Sequence, residues 1–187
     1  MQPRELIDFL GKIEKLKCVT RHSWTSTGRH ESVAEHSWRL AVTAMLCKDE
    51  YPEIDIDKVI KMCLIHDFGE AVTGDIPAFY KTQSHETEED LATEALCKAL
   101  PEPYSTEFLC LFSEIKEMKT DEARLFKALD NMETVISHNE AEVSTWLPLE
   151  YEENLVYGEE NVKWSEWTRK LKAEINRDSL KKLQESK

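Results

Sequence analysis

An apolar helical run, Val59-Ile60 through Cys63-Leu64-Ile65, carries without a break into the pair His66-Asp67. At helical spacing Cys63 lies one turn before both members of the pair, so His66 and Asp67 continue the buried face of the helix instead of turning to water. A buried carboxylate without a partner is strongly disfavoured or gives up its charge. A His-Asp pair at the inner end of an apolar helix therefore calls for a cation. Gly69 then offers the chain a bend, and Glu70, Thr73 and Asp75 follow before Pro77 stops the segment. Taken alone, the pair reads more simply as a helix end whose Asp makes a turn. The cation reading requires further ligands from elsewhere in the chain.

Two other helical segments offer them. Residues from Ser32 open with a capping box, Ser32 answered three residues later by Glu35. The helix that follows has an apolar stripe of Val33, Leu40, Ala41 and Ala44, with His36 inside it. A single His on an apolar face is usually a core residue; a second inward His on a neighbouring helix changes that balance. A later helix, begun near Thr120-Asp121, has Ala123, Phe126 and Leu129 on the face interrupted by Asp130, and a buried Asp in mid-helix needs a charged partner or a metal. Three helices thus present His36, His66-Asp67 and Asp130 inward. Two imidazoles and two carboxylates make a mixed nitrogen and oxygen donor set suited to one divalent transition metal (Co, Mn, Zn, Ni or Fe), with positions open for water and substrate.

The rest of the chain fits an all-α, single-domain helical bundle. With 187 residues it can build one well-buried core, the metal-bearing part spanning about residues 5–140 and a helical extension about 145–187. Only five Gly and six Pro interrupt a helical period of apolar and charged residues, and no segment alternates convincingly as a strand. Residues 4–17 read as an amphipathic helix with Leu6, Ile7, Leu10, Ile13 and Leu16 on its apolar side. Residues 21–29, with Arg21, Trp24 and several hydroxyls, read as a polar loop, and so do residues 78–85. Helices are expected over 86–100, from Pro101-Glu102-Pro103 onward, and over 160–185. In the last, Trp164, Trp167 and Leu171 pack on the bundle or join a second subunit, which leaves a homodimer open.

A net charge of −13 excludes nucleic acid as the expected partner, because phosphate backbones are bound by basic surfaces. Five scattered cysteines without a CxxC pair suit reduced thiols in a cytoplasmic protein. The amino-terminal residues lack the layout of a signal peptide, and no apolar run reaches membrane-spanning length, so no membrane partner is expected.

Ser32-Val33-Ala34-Glu35-His36-Ser37, His66-Asp67-Phe68-Gly69-Glu70, Thr73-Gly74-Asp75-Ile76-Pro77 and Leu129-Asp130 together resemble the HD-domain metal-dependent phosphohydrolases. The resemblance looks closest to the 5′-deoxynucleotidase branch, where a Glu three residues after the HD pair and a Gly-Asp-[Ile/Leu]-Pro-like element recur. It implies that His36, His66, Asp67 and Asp130 hold one divalent metal and that Glu70 orients or deprotonates the attacking water. Asp75 and the arginine-bearing segment would contact sugar and phosphate.

The implied activity is hydrolysis of nucleoside 5′-monophosphates, 2′-deoxy in preference, to nucleoside and phosphate. In that reading Arg21 binds a phosphate oxygen with its fork of donors, Trp24 packs on sugar or base, and Asp75 accepts a 3′-hydroxyl while crowding out a 2′-hydroxyl. The alternatives are hydrolysis of another phosphorylated small molecule, such as a nucleoside triphosphate or an alarmone, and a nucleotide-binding module without catalysis. A longer phosphate chain would need more Lys and Arg than the site loops offer. The branch usually follows its Arg directly with Trp, whereas this chain reads Arg21-His22-Ser23-Trp24. His22, His30, His85 and His138 are not assigned to a second metal, His85 being placed in a polar loop and His138 near a helix end. The segment from about 145 carries no assigned motif.

Overall fold

The computed structural model describes residues 1–186. Its central helices are α2 (Val33–Leu46), α3 (Ile56–Ile65) and α7 (Asp121–Glu140), which pack on one another. Val33, Leu40 and Ala44 meet Val59, Met62 and Cys63 and the α7 side chains Leu125, Phe126, Leu129, Met132 and Val135, all removed from solvent. Each of the three begins at a side-chain cap, the first being the capping box read from the sequence. Ser32 accepts the Glu35 amide while Glu35 accepts the Ser32 amide, Asp55 accepts the Lys58 amide, and Thr120 accepts the Ala123 amide. The caps set where each helix starts, and therefore which residues reach the centre of the bundle.

Around this core run α1 (Pro3–Ile13), the short α4 (Glu70–Thr73), α5 (Gln83–Lys98) and α6 (Tyr104–Glu117). The carboxy-terminal elements are α8 (Glu150–Val156), α9 (Glu159–Val162) and α10 (Glu166–Glu185). None of the described helices is long and apolar enough to cross a membrane. The five cysteines are all free thiols.

The structure departs from the sequence reading at several points. The segment expected as a loop is a small antiparallel hairpin, β1 (Thr20–Trp24) paired with β2 (His30–Ser32), with Thr20 opposite Ser32 and Trp24 opposite His30. Gly28, at φ +79°, closes its turn through the Thr25 carbonyl. Strands of five and three residues whose side chains, Trp24 apart, are hydroxyl, charged or imidazole leave no alternating apolar pattern to read.

Other departures concern helix limits and faces. The helix expected over 86–100 starts at Gln83, because Thr82 caps it and His85 closes the capping box; His85 is thus a helix cap and not a loop residue. The first helix ends at Ile13 and tightens into a 3₁₀ turn, Glu14–Lys17. It touches the body through Phe9, stacked near Phe68, and leaves Leu6, Ile7 and Leu10 43%, 55% and 49% exposed. The terminal helix divides at Lys163–Ser165, and its Trp164, Trp167 and Leu171 pack against the core, both tryptophans beside Tyr51.

Gly69 has ordinary right-handed helical backbone angles, φ −56° and ψ −35°, so it supplies no bend. Its role is close approach: a Cβ there would meet Thr93 Oγ1 at 2.5 Å and the Glu89 carbonyl oxygen at 2.6 Å on α5. The chain turns instead at Gly74, φ +79°.

The segment after α7 folds back onto it. Trp146 Nε1–H donates to the His138 carbonyl at 2.8 Å, and Asn139 Nδ2 donates to the Ile175 carbonyl at 3.0 Å. Ser179 Oγ donates to Asn139 Oδ1 at 2.8 Å. Gly158, at φ +72°, lies directly over the Asn131 side chain. Lys172 is buried on α10 and donates to the Asn154 carbonyl at 2.9 Å.

Two outcomes follow for stability. Gly69→Ala forces α5 away from the turn before α4 and is expected to cost about 1–3 kcal/mol, read as a lower urea midpoint at unchanged slope. Burial lowers the Lys172 ammonium from 10.5 to about 8. The unfolded chain then binds the extra proton between those values, so this group makes stability rise as pH climbs from about 8 to about 10.5. Urea unfolding at pH 7.5 and 10 should show that increment in the native protein and its absence in Lys172→Met.

Candidate functional site

His36 is wholly buried on α2, and each of its ring nitrogens faces a carboxylate on α7. Nδ1 donates to Glu133 Oε2, while Nε2 lies 3.2 Å from Asp130 Oδ1. His66, at the carboxy-terminal end of α3, donates Nδ1–H to the Cys63 carbonyl at 2.9 Å. That hydrogen bond leaves its Nε2 facing Asp67 Oδ2 at 3.0 Å and Asp130 Oδ1 at 3.7 Å. Ligand atoms of His36, His66 and Asp67 all lie within 4.8 Å of one another. Imidazole nitrogens and carboxylate oxygens lie this close only with positive charge between them, either protons or a metal ion.

The protonation of the site shows the same demand. Burial and Arg21 act to lower the His36 pKa, but the hydrogen bonds to Asp130 and Glu133 outweigh them and hold it at about 9. Asp67 and Asp130 stay ionised against the cost of burial, Asp67 through His66 and Asp130 through Lys127 and the two imidazoles. Glu70, at the start of α4 and 3% exposed, is pushed up to about 10 by burial and by Asp67, Asp75 and Glu89. Its Oε2 is buried with no hydrogen-bond partner among the described residues. A donor set of two imidazole nitrogens and carboxylate oxygens, ringed by more carboxylates, fits a divalent cation.

These groups open onto a cavity of about 710 Å³ lined by His66, Asp67, Glu70, Asp75 and Asp130. Arg21 enters from β1: Nη2 donates to Thr134 Oγ1 at 3.2 Å, Nη1 lies 3.9 Å from Asp67 Oδ2, and Nε lies 3.5 Å from Glu31 Oε2. Asp75, just past the turn at Gly74, is raised by burial above the ordinary Asp value. Trp24 is placed elsewhere. It packs on His30 at a ring separation of 4.0 Å and does not line the cavity.

The cavity also holds residues that the sequence reading left out. Lys81, Lys116 and Lys127 line it, a supply of cations larger than the loops alone suggested, each held by a carboxylate: Glu89, Asp90 and Asp130. Glu133 and Arg39 support His36, with Arg39 Nε donating to Glu133 Oε1 at 2.6 Å. Glu133 lies three residues after Asp130, one turn along the same face, which was a readable signal. His22, His138, Glu150, Asn154 and Tyr157 line the wall opposite, and only the folding back of the last segment brings three of them there.

A family model described as HD domain matches residues 13–172. The chain belongs to the HD domain family. The human protein named 5′-deoxynucleotidase HDDC2 is 35% identical over 144 residues, 74% of this chain and 69% of that protein. Among solved structures, a protein from Magnetospirillum magnetotacticum MS-1 described as a predicted metal-dependent phosphohydrolase superposes with a TM-score of 0.71 at 28% identity, covering 94% of this chain and 95% of that one. A conserved hypothetical protein from Pyrococcus furiosus gives a TM-score of 0.71 at 31% identity, covering 91% of this chain and 99% of its own. Membership of the HD domain family implies a divalent metal, and the fit of the donor set agrees with one.

Glu133→Gln tests how far this HD cluster depends on its supporting shell. Loss of the carboxylate behind His36 Nδ1 is expected to weaken divalent-metal affinity by about 10–100-fold, measured by calorimetric titration of the chelated protein.

Proposed function

We propose that the chain is a metal-dependent phosphomonoesterase that hydrolyses nucleoside 5′-monophosphates, 2′-deoxyribonucleotides in preference, to nucleoside and phosphate. One observation supports the reading: Glu70, Arg21, His66, Asp67 and Asp130 line one cavity, with His36 buried behind Asp130, in a chain similar to relatives named 5′-deoxynucleotidase. His36, His66, Asp67 and Asp130 would hold one divalent ion, Co, Mn, Zn, Ni or Fe by the donor set. When bound, the ion supplies positive charge at the phosphoryl oxygens and acidifies water.

The protein's own groups do the rest. Arg21, with two carboxylates behind it, presents its remaining guanidinium donors to the phosphate oxygens. Glu70, ionised once positive charge enters the site, accepts a proton from the attacking water. The water oxygen bonds to phosphorus as the ester bond to the 5′-oxygen breaks, and that oxygen leaves with a proton, giving the nucleoside hydroxyl and inorganic phosphate. Asp75 accepts a hydrogen bond from the 3′-hydroxyl. With Trp24 outside the cavity, Phe79 and Tyr157, among the rings that line it, are available to sugar and base.

The lysines of the cavity do not turn the reading toward longer phosphate chains, since each already holds a carboxylate. A binding module without catalysis would have no use for the buried, unpartnered Glu70 oxygen.

The test is phosphate release from matched deoxy- and ribonucleoside 5′-monophosphates, with triphosphates alongside, using chelated protein reloaded with each metal separately. Metal-dependent release from the deoxynucleotides is expected. Glu70→Gln is expected to bind metal and nucleotide as before while kcat falls by about 10²–10⁴-fold; unchanged release would remove Glu70 from the chemistry.

A further inference from the structure

We propose that His22, His138 and Glu150 form a second divalent-cation site, distinct in every ligand from the His36–His66–Asp67–Asp130 cluster. The three come from different elements, His22 from β1, His138 from the last turn of α7, and Glu150 from the start of α8. Glu150 Oε1 lies 2.5 Å from His22 Nε2 and 3.5 Å from His138 Nε2. One ligand atom from each residue lies within 4.8 Å of the other two. Metal–ligand bonds of about 2.0–2.2 Å hold adjacent ligand atoms roughly 3–3.5 Å apart, so the triad needs only side-chain adjustment to close on an ion.

Each of two ligands has one polar atom committed to the protein and its other atom turned to the site. His138 Nδ1 donates to Asn154 Oδ1 at 2.9 Å, which leaves the lone pair on Nε2. That Nε2 belongs to a side chain 5% exposed and has no hydrogen-bond partner among the described residues. Glu150 Oε2 accepts the Leu147 amide at 2.7 Å, which leaves Oε1. Asn154 is itself fixed, its carbonyl accepting from the buried Lys172. This repeats the device of the HD cluster, where His66 Nδ1 is tied to a carbonyl and His36 Nδ1 to a carboxylate while both Nε2 atoms face the ion position.

Donor chemistry selects the ligand. Two imidazoles and one carboxylate suit Zn, Co, Ni or Fe(II) over Mg or Ca, which take oxygen ligands. Burial lowers the His138 pKa and keeps that imidazole neutral, the form that binds metal. All three residues also line the cavity onto which the HD cluster opens, so the positions left free face the space where substrate would sit. The competing account is a His22–Glu150 hydrogen bond with no ion, His138 being a packing residue.

Metal counting separates the two. Chelated protein is dialysed against Co(II) or Zn(II), bound metal per chain is measured by mass spectrometry, and the Co(II) visible spectrum is recorded. The expected result is two ions in the native protein and one in His22→Phe, Glu150→Gln or His138→Ala. His22 lies on the hairpin, outside the apolar core, with its side chain 23% exposed, so His22→Phe tests the site without disturbing that core. His66→Ala, which disables the HD cluster, is expected to keep one ion with the spectrum of the second site, so failure of either assignment is read apart from the other. A native plateau at one ion, or two ions retained in His22→Phe or Glu150→Gln, overturns the proposal.

Discussion

Asp67, Asp130, Glu133 and Glu70 all lie near the place where α2, α3 and α7 meet, with Glu31 beside them, and none is free in water. Burying that many carboxylates is possible only if each is offset, and the interior is arranged around doing so. Arg21 and Arg39 reach in, Lys127 holds Asp130, and the imidazoles of His36 and His66 fill the space between. Glu70 is the exception. Among the described residues no cation contacts it, and burial with the neighbouring carboxylates holds its carboxyl in the protonated form. The arrangement is therefore incomplete without further positive charge, which is what a metal-dependent site requires before its cofactor arrives.

Helix α7 carries much of this along one face. Asp130, Glu133, Thr134, Ser137 and His138 follow at helical spacing, and they meet Lys127 and His36, then Arg39 and Arg21, then Glu31, then Asn154. One rigid helix thus spaces the HD cluster, the arginine layer and the His22–His138–Glu150 group. The last segment closes the far wall by docking on the same helix through Trp146, Asn139 and Gly158. The apolar stripe of Trp167, Leu171 and Ile175 packs it on the core, while the hydrogen bonds and the close glycine contact have no apolar period to announce them.

The residues that could be read from sequence were those whose local surroundings contradict their chemistry. Asp130 between Leu129 and Phe126, and His36 among Val33 and Leu40, were abnormal in place, so the expectation of a central site formed without coordinates. Trp24 had no such contradiction; its assignment rested on the order of residues in one segment, and a two-stranded hairpin turned it away onto His30. Gly69 was read as a bend because glycine commonly bends a chain. Its real reason, the approach of Glu89 and Thr93 to within 2.6 Å of where a Cβ would stand, lies on a different helix. His138 sat near an expected helix end with nothing local to mark it.

The amino-acid sequence by itself determined the all-helical architecture, the starts of the three central helices and the inward direction of His36, His66, Asp67 and Asp130, because capping and apolar period act within a few residues of chain. Only the tertiary structure decided what faces those residues. The layer of Glu133 and Arg39 behind His36, the unpartnered Glu70, and the meeting of His22 with His138 and Glu150 join residues from different elements. Hydrogen bonds and Coulomb interactions fall off over a few ångströms of space whatever the separation along the chain, so no reading of neighbours in sequence contains them.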